Sequence, residues 1–423
     1  MKSSWKKVCL GDIISIKHGW AFPGIGITSQ KSKNVLVTPG NFEIGGGFKY
    51  SDKKFFNKDY PEDYLLSPGD LIVTMTDLSK ETDTLGYSAL VPNDGRNYLH
   101  NQRIGLVQLK NCEVDKLFIY WLMRTKLYQR FVANYAHGTS VKHTSPSLIG
   151  KFCFMLPDIA EQKKISSILS ALDKKIAINK AINKNLEETA QAIFKSWFVG
   201  FEPFGGVMPA DWRIGTFSDI VKTTFGGDWG KEIPEGNHTK QVFCIRGADI
   251  PEVKLGNKGK MPIRYILSQN YALKQLTVGD IVIEISGGSP TQSTGRVCYI
   301  SQALLDRYDR GIVCTNFCRA IKTKEHFSQF VYYYLQYLYT GDVFFSYENG
   351  TTGIKNFDLS GFLKTKEIVI PSSNYLYKFN ELCLSVFAKT FSIGLQIQRL
   401  AEIRDALLPK LMSGEIDVSQ VKI

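Results

Sequence analysis

The sequence contains no apolar run of the roughly 18 residues needed to span a bilayer. Its best run, Leu117 to Met123, has the length of a buried helix. The N-terminal string MKSSWKKVCLGDII carries positive charge but no apolar signal core, so a cytoplasmic protein with no membrane partner is expected. The eight cysteines (Cys9, Cys112, Cys153, Cys244, Cys298, Cys314, Cys318 and Cys383) form no paired CxxC ribbons. Cys314 and Cys318 are four apart without a second pair or clustered His, so no metal is expected and buried free thiols are. Catalytic motifs are missing too. There is no Asn/Asp-Pro-Pro-aromatic motif with a Gly-rich cofactor loop, no HExxH and no GxSxG. FGGDWGKE lacks the P-loop frame, because Glu232 follows the lysine. No catalytic constellation can be nominated.

What is present is a 423-residue chain with 43% apolar and 22% charged residues, enough for two or three globular domains. Lys and Arg number 52 against 40 Asp and Glu, a formal charge of +12. An excess of this size favours a polyanionic partner, since each phosphate neutralised releases condensed counterions.

The chain is internally duplicated. WKKVCLGDIISI from Trp5 is answered by WRIGTFSDIVKT from Trp212, and LSPGDLIVTM from Leu66 by LTVGDIVIEI from Leu276. Gly138-Thr139 is answered by Gly350-Thr351. From Pro157 and Pro371 onward the register is constant, through Lys175/Lys389, Leu186/Leu400, Glu188/Glu402 and Gly200/Gly414. Each copy reads as a mixed α and β globular part followed by a helical part.

Asp158 to about Val199 contains no Pro or Gly. Asp158 and Glu161 have capping-box spacing, and Gly200 offers a left-handed stop. Ile165, Leu172, Leu186 and Ile193 recur at multiples of seven, with Leu169 and Ile176 in the companion seam. In the second copy Phe379, Val386, Ile393, Leu400 and Leu407 keep the same spacing, between a candidate cap at Ser372 and a stop at Gly414. Pro409 is expected to kink or fray the last turn. Helices of this length span about 60 Å, and two such seams in one chain most simply pack on each other antiparallel. Asn179 and Asn183 leave two readings open. Either they are buried in the seam and fix its register, or they sit in a solvated gap with Ile178 and Ile182 rotated inward.

IAEQKKISSILSALDKKI, continuing through NKNLEETAQAIFKSWFVGFEPF, resembles the central conserved region of type I restriction-modification specificity subunits, and RLAEIRDALLPKLMSGEIDV resembles their distal conserved region. One departure is Gly200, where many relatives carry an acidic residue. The resemblance implies an α+β fold of two duplicated mixed α/β target recognition domains separated by a coiled-coil-like antiparallel pair of helices. The expected boundaries are 1–157 and 212–371 for the domains, 158–200 and 372–414 for the spacer helices, 201–211 for a linker and 415–423 for a tail. It further implies a non-catalytic reader of a bipartite double-stranded DNA target, docked to two methyltransferase subunits and joined by restriction subunits. No cofactor is expected in this chain, with S-adenosylmethionine, ATP and Mg carried by the partner subunits.

Base reading draws on Arg or Lys for guanine and Asn or Gln for adenine. In the first copy the candidate loops are GRNYLHNQR (Arg96, Asn97, Asn101, Gln102, Arg103) and GTSVKHTS (Thr139, Ser140, Lys142, His143, Thr144). In the second they are SGGSPTQSTGR (Ser289, Thr291, Gln292, Arg296) and NGTTGIK (Asn349, Thr351, Thr352, Lys355). Asn101 could equally be a turn former. The rival reading is a coiled-coil scaffold or tandem protein-interaction module that reads no DNA sequence.

Overall fold

The computed structural model describes residues 5–50, 54–77, 83–138, 141–287, 292–350 and 355–421. The chain forms two compact units, Met1–Lys174 with Ala401–Ile423, and Lys175–Leu400. The first is assembled from two segments far apart in the sequence, and the second is one continuous stretch. Two 40-residue helices, Ile159–Phe198 and Ser373–Met412, each give one end to each unit.

In the first unit a four-stranded antiparallel sheet runs Ile14–His18, Ile104–Leu109, Leu71–Thr74, Ser88–Leu90. Leu71–Thr74 is buried on both faces, which is why its sequence is a continuous LIVT run rather than an alternating one. A five-stranded sheet includes the parallel pair Asn34–Val37 and Asn97–His100. Lys6–Cys9 pairs antiparallel with Cys153–Leu156, clasping the start of the unit to the strand that leads into the long helix.

The second unit repeats this plan. Its four-stranded sheet runs Val221–Gly226, Cys318–Thr323, Ile281–Glu284, Val297–Tyr299. Its parallel pair is His238–Ile245 with Ile312–Cys314, and its clasp is Arg213–Thr216 with Glu367–Ile370. The Gly-Asp turns of the two copies are also built alike. The Asp70 carboxylate accepts from the Ser67 N–H, and that of Asp280 from the Thr277 N–H, each at 2.8 Å.

Within each unit the helical segments pack antiparallel on one another and on the unit's own helix. In the first, Ile165 and Leu169 share a core with Leu408, Leu411, Phe118 and Trp121. In the second, Ala190, Phe194 and Phe198 share a core with Leu376, Phe379, Cys383, Phe387 and Phe330. Phe198 stacks on Trp212 at 5.6 Å, so the aromatic cluster at the helix exit is internal packing. The Asp158 carboxylate accepts from the Glu161 N–H at 2.8 Å and caps the first long helix.

Burial places the seam differently from its sequence reading in part. Ile165, Leu169, Ile176, Phe379 and Ile393 are buried; Leu172, Leu186, Ile193, Val386, Leu400 and Leu407 are only half-buried. In the second helix the innermost rows are Leu376, Cys383, Thr390, Ile397, Leu411 and Asn380, Phe387, Gly394, Leu408. The second of these rows lies one residue beyond Val386, Ile393 and Leu407. Hydropathy passes over it because it includes Asn380 and Gly394. Gly394 is required there: a Cβ would lie 1.9 Å from the Gly256 carbonyl oxygen.

The two readings of the asparagines separate cleanly. Asn179 and Asn183 are 2% and 1% exposed, whereas Ile178 and Ile182 are 44% and 38% exposed. The Asn183 amide donates to the carbonyls of Leu255 (2.9 Å) and Thr390 (3.0 Å), and that of Asn179 to the Gln396 side chain (3.4 Å). These bonds offset the cost of burying the amide N–H groups, while the Asn183 carboxamide oxygen is buried without a hydrogen-bond partner.

Two expectations are corrected. The cysteines are not all buried free thiols: Cys9 and Cys153, opposite one another in the clasp, are joined by a disulfide, and Cys112 is exposed. The left-handed residue after the first long helix is Phe201 (φ 53°), not Gly200. The Phe201 ring packs edge-on against Trp212 and its carbonyl accepts from the Gly206 N–H at 2.9 Å, which holds that turn. Pro409 lies within the last turn of the second helix, which runs to Met412.

Candidate nucleic-acid interface

In each unit the buried central strand ends at a hinge residue and continues as a two-residue strand. Leu71–Thr74 passes through Met75 into Thr76–Asp77, and Ile281–Glu284 passes through Ile285 into Ser286–Gly287. Each hinge backbone ties down two loops. The Met75 N–H donates to the Arg103 carbonyl (2.9 Å) and the Met75 carbonyl accepts from Thr144 (3.0 Å). The Ile285 N–H donates to the Phe317 carbonyl (2.9 Å) and the Ile285 carbonyl accepts from Phe357 (2.8 Å). The short strands then pair antiparallel with Lys142–His143 in the first unit and Lys355–Phe357 in the second. Close backbone approach supports both arrangements. A Cβ on Gly19 or Gly227 would lie 2.1 Å from the carbonyl oxygen of Asn101 or Cys314.

This geometry brings some of the predicted residues together and separates others. Asn101, Gln102, Arg103, Lys142, His143 and Thr144 gather around the Met75 hinge. Gln102, Arg103 and His143 are exposed, while Thr144 is buried. The Asn101 carboxamide oxygen accepts from the Arg103 N–H at 3.0 Å, so Asn101 is the turn former. Arg96 and Asn97 stand at the other end of the strand Asn97–His100, about 13 Å away at the rise of an extended chain. There Arg96 forms an ion pair with Asp94 (2.8 Å) and Asn97 bonds the Asn34 side chain (2.8 Å).

In the second unit Asn349 and Lys355 lie on strands of the three-stranded sheet made of Ser286–Gly287, Lys355–Phe357 and Glu348–Asn349. Gln292 donates to the Tyr339 hydroxyl at 3.4 Å. Lys355 pairs with Glu348 at 2.9 Å and lies over the Phe345 ring. Burial pushes the Glu348 carboxyl up, but Lys355 and the two Thr294 hydrogen bonds outweigh it and hold the group below its ordinary range. Arg296 makes two bonds to Glu284, at 2.8 and 2.6 Å, which raise its pKa and commit its fork to the sheet. Thr139, Ser140, Ser289, Thr291, Thr351 and Thr352 lie outside the described residues.

The sequence reading missed Thr76, Ser286, Phe317 and Asn356. Phe317 is 57% exposed at the position equivalent to Arg103. The signal for Asn356 was available: VKH in the first copy aligns with IKN in the second, so His143 implies Asn356. Among the described residues no group of three His, Cys, Asp or Glu is placed to hold a metal ion, and no helix is long and apolar enough to cross a membrane. The tips display amide, imidazole and ammonium groups suited to hydrogen-bonded recognition.

Residues 2–188 match the model of the type I restriction modification DNA specificity domain. Over 359 residues the chain is 26% identical to the type I restriction enzyme MjaIX specificity subunit of Methanocaldococcus jannaschii, covering 80% of this chain and 76% of that protein. It is 25% identical to the HindI specificity subunit of Haemophilus influenzae, covering 78% and 84%. The S subunit of the type I restriction-modification system of M. genitalium shares the fold, with a TM-score of 0.53 at 17% identity over 97% of this chain and 98% of that one. With its duplicated plan, its paired long helices and these likenesses, the chain is similar over most of its length to type I restriction-modification specificity subunits, and residues 2–188 match their DNA specificity domain.

Proposed function

We propose that this chain reads a bipartite double-stranded DNA sequence, one half-site per unit, and lends that specificity to methyltransferase and restriction subunits. The observation carrying this reading is the hinge-and-strand tip built twice, once in each unit, from the same backbone bonds and with different exposed side chains. A molecule that repeats its framework and varies its tips suits a target with two unlike halves. In this reading 1–157 and 212–371 are the target recognition domains, 158–200 and 372–414 the spacer helices that dock two methyltransferase subunits, 201–211 a linker and 415–423 a tail. Catalysis and its cofactors (S-adenosylmethionine, ATP and Mg) belong to the partners, and the complex works in the cytoplasm, where its DNA is. The test is single-molecule sequencing of methylated adenines in cells co-expressing the chain with its methyltransferase. A bipartite motif with a fixed gap, lost when the chain is deleted, is expected. Unchanged methylation despite complex formation would favour the scaffold reading.

A further inference from the structure

The backbone bonds around the two hinges equate residues one for one. Met75 corresponds to Ile285, Arg103 to Phe317 and Thr144 to Phe357. The strand registers then equate Thr76 with Ser286, Lys142 with Lys355, and His143 with Asn356. Two of these pairs keep their chemistry: a hydroxyl in the first and a lysine in the second. The third does not. In both units the hydroxyl holds the variable side chain. Thr76 Oγ1 lies 3.2 Å from His143 Nδ1, and Ser286 Oγ donates to Asn356 Oδ1 at 2.7 Å.

His143 and Asn356 are exposed and sit on strands whose backbones are paired. Asn356 lies on the central strand of its sheet, held from both sides. One polar atom of each side chain is anchored by the hydroxyl, which leaves His143 Nε2 and Asn356 Nδ2 as the outer polar atoms. A side chain already oriented on a rigid element loses little entropy when it meets a ligand edge.

We propose that Asn356 and His143 are equivalent base-reading positions of the two units, each aimed by its hydroxyl partner, while Lys142 and Lys355 make the sequence-independent contact common to both. This rests on the DNA-reading function proposed above. The Asn356 Nδ2 amide and the His143 imidazole each suit a purine acceptor edge.

The test uses the full chain with its methyltransferase and sequences methylated adenines for Asn356→Ala, His143→Ala and Lys355→Ala. Asn356→Ala is expected to make one position of one half-site degenerate, discrimination there falling on the order of ten- to a hundredfold. His143→Ala is expected to act on the other half-site, and Lys355→Ala to lower methylation without changing the motif. If Asn356→Ala abolishes methylation, complex formation is checked by co-purification. Duplexes substituted at each position of the wild-type motif are then compared in binding, with indifference expected at one position. A motif or binding profile unchanged by both Asn356→Ala and His143→Ala, or one variant altering both half-sites, would overturn the proposal. Failure of the wild-type chain to direct any bipartite motif would instead overturn the function on which it rests.

Discussion

Two carboxylates on the first long helix show how one element holds opposite electrostatics. In the first unit Asp173 accepts from Arg124 at 2.6 Å and from Arg404 at 2.5 Å. Burial pushes its carboxyl up, but the two guanidiniums prevail and hold it below its ordinary range. Its stabilisation is therefore full above the unfolded Asp value of about 3.9 and is lost as pH falls through the lower folded value. Asp173→Asn is expected to cost about 3 kcal/mol at neutral pH, with wild type and variant converging in acid; urea titrations at pH 7 and pH 3 check this. In the second unit Glu187 is 8% exposed, bonded by Gln336 (2.6 Å) and Tyr332 (3.3 Å), with Lys254 at 3.5 Å. Here burial is the larger influence and raises the pKa, against the pull of Lys254. A raised carboxyl favours the folded state at low pH, and that advantage fades as pH rises from about 4.3 through the folded value. Glu187→Gln is expected to remove this dependence without lowering the urea midpoint at pH 8. Neither environment was legible beforehand, because the partners come from segments tens to hundreds of residues away.

At the scale of elements, the long helices were readable from the absence of Pro and Gly and from a seven-residue repeat. Their phase was less so. Asn183, Glu187, Thr390 and Gly394 occupy interior positions that a hydropathy pattern assigns to solvent. Asn183→Leu adds apolar surface to the seam, yet is expected to destabilise by about 1–3 kcal/mol, because the Leu255 and Thr390 carbonyls lose a donor; a lower thermal midpoint checks it. If the helices set the gap between half-sites, a four-residue insertion after Lys180 shifts the seam by roughly one turn. Methylation sequencing is then expected to find the same half-sites at a new separation, and an unchanged gap would sink the ruler idea. The candidate loops were found as loops because Gly and small polar residues mark them. Which side chains they expose was not, since Arg96 and Arg296 meet acidic partners that spacing alone does not reveal.

For the whole molecule, the +12 charge and the duplication were plain in the sequence, and the two conserved-region motifs carried the functional reading furthest. If the chain holds about six phosphates, its affinity for duplex DNA should fall on the order of a thousandfold between about 50 and 200 mM salt. A titration by fluorescence anisotropy is expected to show this steep dependence for DNA with or without the target, with the target DNA bound more tightly at every salt concentration. A flat response would remove the electrostatic argument.

The way the two units divide the chain has a bearing on its synthesis. Residues 401–423 belong to the first unit, where Leu408, Leu411 and Val418 share a core with Trp5 and Leu10. The residues of the first unit that precede Lys175 therefore wait for partners made only after the whole of the second unit. Meanwhile the second unit, continuous from Lys175 to Leu400, has all of its own residues. Completion runs against the order of translation, so a message broken between the codons for Leu400 and Leu408 yields a chain whose first unit still lacks part of its core.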